Sequence, residues 1–387
     1  MKLDCEKIQM NYYEESDLAI RHFPIAFHEW EEKARQRLAA GPFGYVHGGA
    51  GKGDTMLANR SIFDKYRLLP RICSDISERD LSITLLGRQL PSPILLAPIG
   101  VNSIFHREGE LAVAKACAET GIPYILSNVS SQPMEKVAEV MGEAVRWFQL
   151  YPPIDPHLSR SFLDRAKKAG YSAIVVTVDS TMLGWRETDL RNAYLPFLEG
   201  HGMGNYFTDP VFLQKLDKSP EEDKIAAVKK ALKEGNNTQF TWNSFEEIRK
   251  MTDLPLLLKG ITHPEDARFA IKHGADGIIV SNHGGRQIDG AIGTLEALPG
   301  IVDVVRGEVP ILLDSGIRRG ADVMKAVALG ATAVLIGRPY IYALAVAGRQ
   351  GVMAVIQNII AETELTLAIS GRKSMKEVDS TLIVKIT

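Results

Sequence analysis

Residues 281–290, SNHGGRQIDG, set a histidine, two glycines and an arginine within ten positions. A histidine closing an apolar run can serve as a general base near neutral pH. Arg286 offers a planar fork that matches a carboxylate. Gly284 and Gly285 let the backbone come close to a planar ligand. Residues 177–189, TVDSTMLGWRETD, supply Asp179, a carboxylate able to orient and charge-stabilise His283, and Arg186, a second partner for an anion. Lys259 closes the apolar run LLLKG, where an unpaired ammonium would be costly, so it must meet a partner. Two further glycine-rich segments, DSGIRRG (314–320) and IGRP (336–339), carry Arg318 and Arg338. Backbone N–H groups and arginines of this kind bind phosphate, and Asp314 can accept from a chain of hydroxyls. Alone, these two segments indicate a phosphorylated ligand, either cofactor or substrate.

Other features exclude chemistry. GYVHGGAGKG (44–53) looks superficially like a phosphate-binding loop, but Lys52 is followed by Gly53 and no strand precedes it. Tyr45 is the residue of interest there. Of nine histidines only His283 has a chemical context; His22, His28, His47, His106, His157, His201, His263 and His273 are not arranged to hold a metal, and none is expected. Cys5, Cys73 and Cys117 lack metal or disulfide spacing and read as reduced thiols of a cytoplasmic protein. A net charge of -2 gives no reason to expect nucleic acid or an anionic membrane as partner. The N-terminus has neither the basic nor the apolar region of a signal peptide. The apolar stretch 326–348 is broken by Arg338 and Pro339 and reads as helix, strand, helix.

The elements that must position these residues alternate. Eight short apolar runs (93–100, 123–128, 145–151, 173–179, 255–260, 277–282, 310–316 and 332–338) end in Gly, Asn, Asp or Ser and read as buried parallel strands. Amphipathic stretches such as HPEDARFAIKHG lie between them. Polar residues gather at the C-terminal end of all eight runs, which predicts an α/β chain folded as a closed (β/α)8 barrel rather than an open sheet. The expected organisation is one domain over 1–387, with a mainly helical preface (1–91), a barrel (92–370) and an insert after strand four (180–243). The second half of that insert is polar and charged, and it reads as a partly mobile lid over the barrel mouth.

SNHGGRQ, DSGIRRGADV and IGRP together resemble the FMN-dependent family that oxidises L-2-hydroxy acids, over about residues 25–370. The resemblance implies FMN, a small 2-hydroxy acid and O2 as partners, and a homo-oligomer, a tetramer in this family. It implies that the backbone of Pro98, Ile99 and Gly100 lies against the flavin ring. Ser127, Gln149 and Thr177 bond its polar edge, with Lys259 at the N1–C2=O end and Ser281 beside it. Asp314, Ser315, Gly316 and Arg318 hold ribityl and phosphate, and Gly337 with Arg338 completes the phosphate site. Arg286, Arg186 and the Tyr45 hydroxyl take the substrate carboxylate, Tyr151 faces the substrate hydroxyl, His283 is the base and Asp179 its partner. The base assists loss of the hydroxyl proton with hydride transfer, or removes the C2 proton; both routes stay open.

Within the family, GWRETDL, LPFLEG and NYFTDPVF (205–212) resemble the lactate 2-monooxygenase group, as does Gly100, where relatives usually carry alanine. Ile288-Asp289 is instead similar to glycolate oxidase. The expected reaction is oxidation of L-lactate to acetate, CO2 and water. Alternatives are a simple oxidase giving keto acid and H2O2, a flavin-dependent phosphate-binding isomerase, or a barrel that only binds flavin. Intact His283, Arg286 and Lys259 argue against the last two.

Overall fold

The computed structural model describes residues 5–14 and 23–386. His22 and part of the acidic N-terminal segment lie outside the described residues. The preface contains four helices, α1 (Cys5–Glu14), α2 (Phe27–Arg37), α3 (Ala40–His47) and α4 (Asp54–Asp64). Beside these helices it contains three short strands, β1 (Tyr66–Leu68), β2 (Ile83–Leu85) and β3 (Arg88–Leu90). β2 and β3 pair antiparallel through a turn at Leu86 and Gly87, both at positive φ. The turn dipeptide is Leu-Gly, not the usual Asn-Gly, so this hairpin carried little local signal.

The eight expected strands all form: β4 (Ile94–Leu96), β5 (Tyr124–Ser127), β6 (Arg146–Leu150), β7 (Ile174–Thr177), β8 (Leu256–Ile261), β9 (Gly277–Val280), β10 (Ile311–Leu313) and β11 (Ala333–Ile336). They close into one parallel barrel, with β11 pairing β4. Alternate side chains separate into two cores, as period-two strands require. Leu95, Ile125, Trp147, Val175, Leu257, Ile279, Leu312 and Leu335 fill the barrel interior, and Leu85 and Leu90 of the hairpin join them as a floor. The intervening residues, such as Leu96, Phe148 and Val176, pack outward against the helices.

Most strands stop short of the runs read from sequence, and Asp179, His283 and Asp314 all lie just past a strand end. The segment 326–348 is helix, strand, helix as expected. Its last helix, Arg338–Ile369, is long and apolar enough to cross a membrane by length and composition. It breaks at Ala347 and Gly348, and most of its apolar side chains are buried within this fold. A last strand, β12 (Ile383–Lys385), pairs with β1.

The insert is folded over the barrel mouth. Its charged second half forms the helix Lys224–Gly235, which buries Ala227, Val228, Ala231 and Glu234. Asn205 is fully buried; its amide donates to the Asn128 carbonyl at 2.8 Å and its oxygen accepts from Met134 N at 2.9 Å. The Asp209 carboxylate, also fully buried, takes Arg165 at 3.1 Å and Ser161 at 2.7 Å.

Candidate active site

The chain passing β9 places His283 opposite Asp179, just past β7. His283 Nδ1 lies 2.9 Å from Asp179 Oδ1 and 2.9 Å from Ser180 Oγ. Ser180 Oγ in turn donates to Asp179 Oδ1 at 2.7 Å. His283 adopts φ +58°, a left-handed conformation uncommon for a side chain of this size. Its N–H donates to Ser281 Oγ at 3.1 Å, which holds that turn. Burial pushes the Asp179 carboxyl up, but the charges of His283 and Lys259 outweigh it and bring it to about 2. Burial pushes the His283 imidazole below its ordinary range, against the pull of Asp179. The result is a neutral imidazole beside a carboxylate. A proton on Nδ1 facing Asp179 leaves Nε2 free to accept one.

Lys259 has the partners its burial demands. Nζ donates to Ser281 Oγ at 2.8 Å and lies 3.3 Å from Asp314 Oδ2 and 4.0 Å from Asp179 Oδ2. Burial opposes its charge, but the two carboxylates prevail and raise its pKa. Ser315, at φ +69°, donates to Asp314 Oδ1 at 2.7 Å and accepts from Gly284 N at 2.9 Å.

A cavity of about 510 Å³ opens above these groups. Four arginines line it, and most of their hydrogen bonds go to carbonyls, not carboxylates. Arg286 NH1 donates to the carbonyls of Tyr45 and Gly48, and its guanidinium lies 4.8 Å from the Tyr45 ring centre. Arg186 donates to the Arg286 carbonyl at 3.2 Å and to Gln287 Oε1 at 2.9 Å. Arg338 donates to the carbonyls of Val46 (2.8 Å), Gly284 (3.0 Å) and Gly48 (3.0 Å). Arg318 lies 4.4 Å over the Phe27 ring. Burial, then the neighbouring Arg186, pulls Arg286 down to about 9; burial, then Arg338, does the same to Arg318. Such crowding of cations is relieved by anions entering the cavity.

Pro98, Ile99, Gly100, Tyr45, Tyr151, Gly316 and Gly337 share the cavity wall. Burial raises the Tyr151 hydroxyl well above its usual pKa, so it stays protonated as a donor. A Cβ on Gly100 would lie 2.5 Å from the Val129 carbonyl oxygen and from Val129 Cγ2. The absent methyl thus makes room for the neighbouring loop rather than for a ligand. The glycines of the loop after β9 act similarly: a Cβ on Gly285 would strike Met56 N at 2.7 Å, and one on Gly284 would strike Arg338 at 2.9 Å.

Ser127, Gln149, Thr177 and Ser281 sit behind this wall. Gln149 Oε1 accepts from Ser127 Oγ at 3.1 Å and from Asn128 N at 3.2 Å. Gln149 Nε2 and Thr177 Oγ1 are buried without a partner. Buried polar groups are normally bonded, so these two call for a ligand edge bearing acceptors and donors. FMN fits the set: polar ring atoms for Gln149 and Thr177, a cation at Lys259, and phosphate for Arg318 and Arg338. Among the described residues no cluster of His, Cys, Asp and Glu could hold a metal.

Sequence reading missed several neighbours. Ser180 adjoins Asp179 in the chain, and that adjacency was its signal. Asp189 lies close to Arg186 and Arg286; burial pushes its carboxyl up while both arginines pull it down. Leu195, Phe197, Met203, Tyr206 and Leu232 of the insert wall the cavity. Their approach is a tertiary fact that no local spacing announces.

A family described as FMN-dependent dehydrogenase matches residues 34–385. The chain is 47% identical to an L-lactate oxidase of Lysinibacillus sphaericus, covering 94% of this chain and 93% of that one. It is 38% identical to the 2-hydroxyacid oxidase 1 of Homo sapiens, covering 93% and 96%. A solved mandelate oxidase superposes with a TM-score of 0.82 at 38% identity, covering 92% of this chain and 97% of that one.

Proposed function

Because the chain belongs to the FMN-dependent dehydrogenase family and oxidises a 2-hydroxy acid with that cofactor, we propose that its substrate is L-lactate and its electron acceptor dioxygen. The observation that carries this is the pairing of His283 with Asp179 beneath two arginines left open to a carboxylate. FMN, when bound, takes up the two electrons of the oxidation. Arg286, Arg186 and Tyr45 bind the substrate carboxylate. Tyr151 donates to the substrate hydroxyl. His283 Nε2 accepts a proton, and Asp179 stabilises the imidazolium that results. The insert excludes water from the mouth.

The insert walls the cavity on one side with Leu195, Phe197, Met203 and Tyr206. This enclosure supports retention of pyruvate and a monooxygenase outcome, lactate plus O2 giving acetate, CO2 and water. A second reading, release of pyruvate and H2O2, is favoured by the L-lactate oxidase name of its relative from Lysinibacillus sphaericus. The test is product analysis in air with catalase present, which removes escaped peroxide before it can decarboxylate free pyruvate. Acetate in proportion to lactate supports retention, and stoichiometric pyruvate supports release. A yellow protein whose flavin L-lactate fails to bleach without oxygen would refute the substrate.

A further inference from the structure

Apart from Tyr45, the glycine-rich segment 44–53 has no part in the chemistry above, yet the structure gives it an anion. Its last residues lead into α4, whose N-cap, Gly53, has no side chain to offer. The Asp289 carboxylate supplies the cap from the other side of the site. Oδ2 accepts from Lys52 N at 3.0 Å, and Oδ1 accepts from Asp54 N at 2.7 Å and Thr55 N at 3.4 Å. A helix N-terminus favours a negative group, and here the chain provides its own.

The same segment holds two anion-binding arginines. The Tyr45 and Gly48 carbonyls accept from Arg286, and the Val46 and Gly48 carbonyls accept from Arg338. Four further hydrogen bonds join this segment and the first turn of α4 to the loops beneath them. Ala50 N donates to the Gly285 carbonyl at 2.8 Å and Gly51 N to the Trp185 carbonyl at 2.7 Å. Thr55 Oγ1 donates to the Ile288 carbonyl at 2.7 Å and accepts from Ala291 N at 2.8 Å. Asp289 is the charged member of that seam. His283, Lys259 and Asp179 are held separately, by Ser281, Asp314 and Ser180.

We infer that Asp289 is a positioning residue: by capping α4 it fixes the 45–51 segment, and through those carbonyls it sets the Arg286 and Arg338 guanidinium groups for substrate carboxylate and cofactor phosphate together. The inference rests on the roles given to those arginines above. It predicts a paired defect in binding with chemistry spared.

Asp289→Asn and Asp289→Ala, each prepared with FMN, should raise KM for L-lactate about tenfold, the effect of one lost hydrogen bond to a charged group. The affinity of the apoprotein for FMN, read by fluorescence titration, should weaken by a similar factor. kcat should stay within about threefold, and alanine should be worse than asparagine. KM and FMN affinity both within twofold of the parent would overturn the inference. Gly51→Ala provides a second approach should either variant fail to fold. Its Cβ would collide with the Asp289 carboxylate and push it off the segment, so it must reproduce the paired defect. A folded Gly51→Ala protein with neither change would also overturn it. Should the parent not oxidise L-lactate at all, the substrate reading fails, while the FMN titration still decides the role of Asp289.

Discussion

The Arg286 guanidinium stacks on the Tyr45 ring at 4.8 Å while donating to the carbonyl of that same residue. One side chain therefore both faces the cavity and anchors the segment that forms its wall. A lysine carries the charge but has neither the planar stack nor the fork. Arg286→Lys should raise KM for L-lactate at least about tenfold. Unchanged steady-state constants would move the carboxylate site elsewhere.

Crowded cations should make the apoprotein responsive to anions. With Arg286 and Arg318 both pulled down to about 9 by burial and by each other's neighbours, an entering anion relieves repulsion. Phosphate or oxalate should raise the melting temperature of the apoprotein, and the gain should grow with ligand concentration. Chloride at matched ionic strength serves as the control; an equal gain with chloride would point to screening instead.

Removal of the base should spare the cofactor. His283→Ala should hold FMN but reduce flavin with L-lactate about 10²–10⁴-fold more slowly, measured by anaerobic stopped flow. Reduction within a few-fold of the parent would discard His283 as the base.

The same residue sets the acid limb. Burial places the His283 pKa below its ordinary value, and only the neutral ring accepts a proton. kcat/KM should therefore fall as pH drops through a value below about 6.5 and level off toward neutral pH. A limb centred well above 7 would contradict this order.

Lys259→Met should be more damaging to the fold than an ordinary surface change. It strands two buried carboxylates, Asp179 and Asp314, without their shared cation. The cost should be about 3–5 kcal/mol in denaturant titration of the apoprotein. A loss below about 1 kcal/mol would mean that the carboxylates find other partners.

Much of this site was legible because its residues sit at strand ends. The short apolar runs located the strands, and chemical residues sit at or near the ends of several, as with Asp179, His283 and Asp314. Lys259 declared itself by being charged in an apolar run. What stayed hidden depends on distant approach. Gly100 marked a family group in the sequence, but that its missing methyl makes room for the Val129 loop is set by distant packing. The buried face of the insert's charged second half was not picked out because Ala227, Val228 and Ala231 are small and leave a weak apolar signal. The β2–β3 hairpin was hidden because three-residue strands around Leu-Gly give no turn signature.

The pairing of β1 with β12 joins Tyr66 to Lys385. During synthesis the preface must wait for nearly the whole chain before that ribbon can zip. The barrel has the same requirement, since β4 closes on β11. Contacts so distant along the chain make for slow folding. A nascent chain stalled before residue 333 would expose one unpaired edge at β4 and another at β10, and such edges recruit other chains. Ribosome-bound intermediates of this protein should therefore depend on chaperones until the last strands emerge.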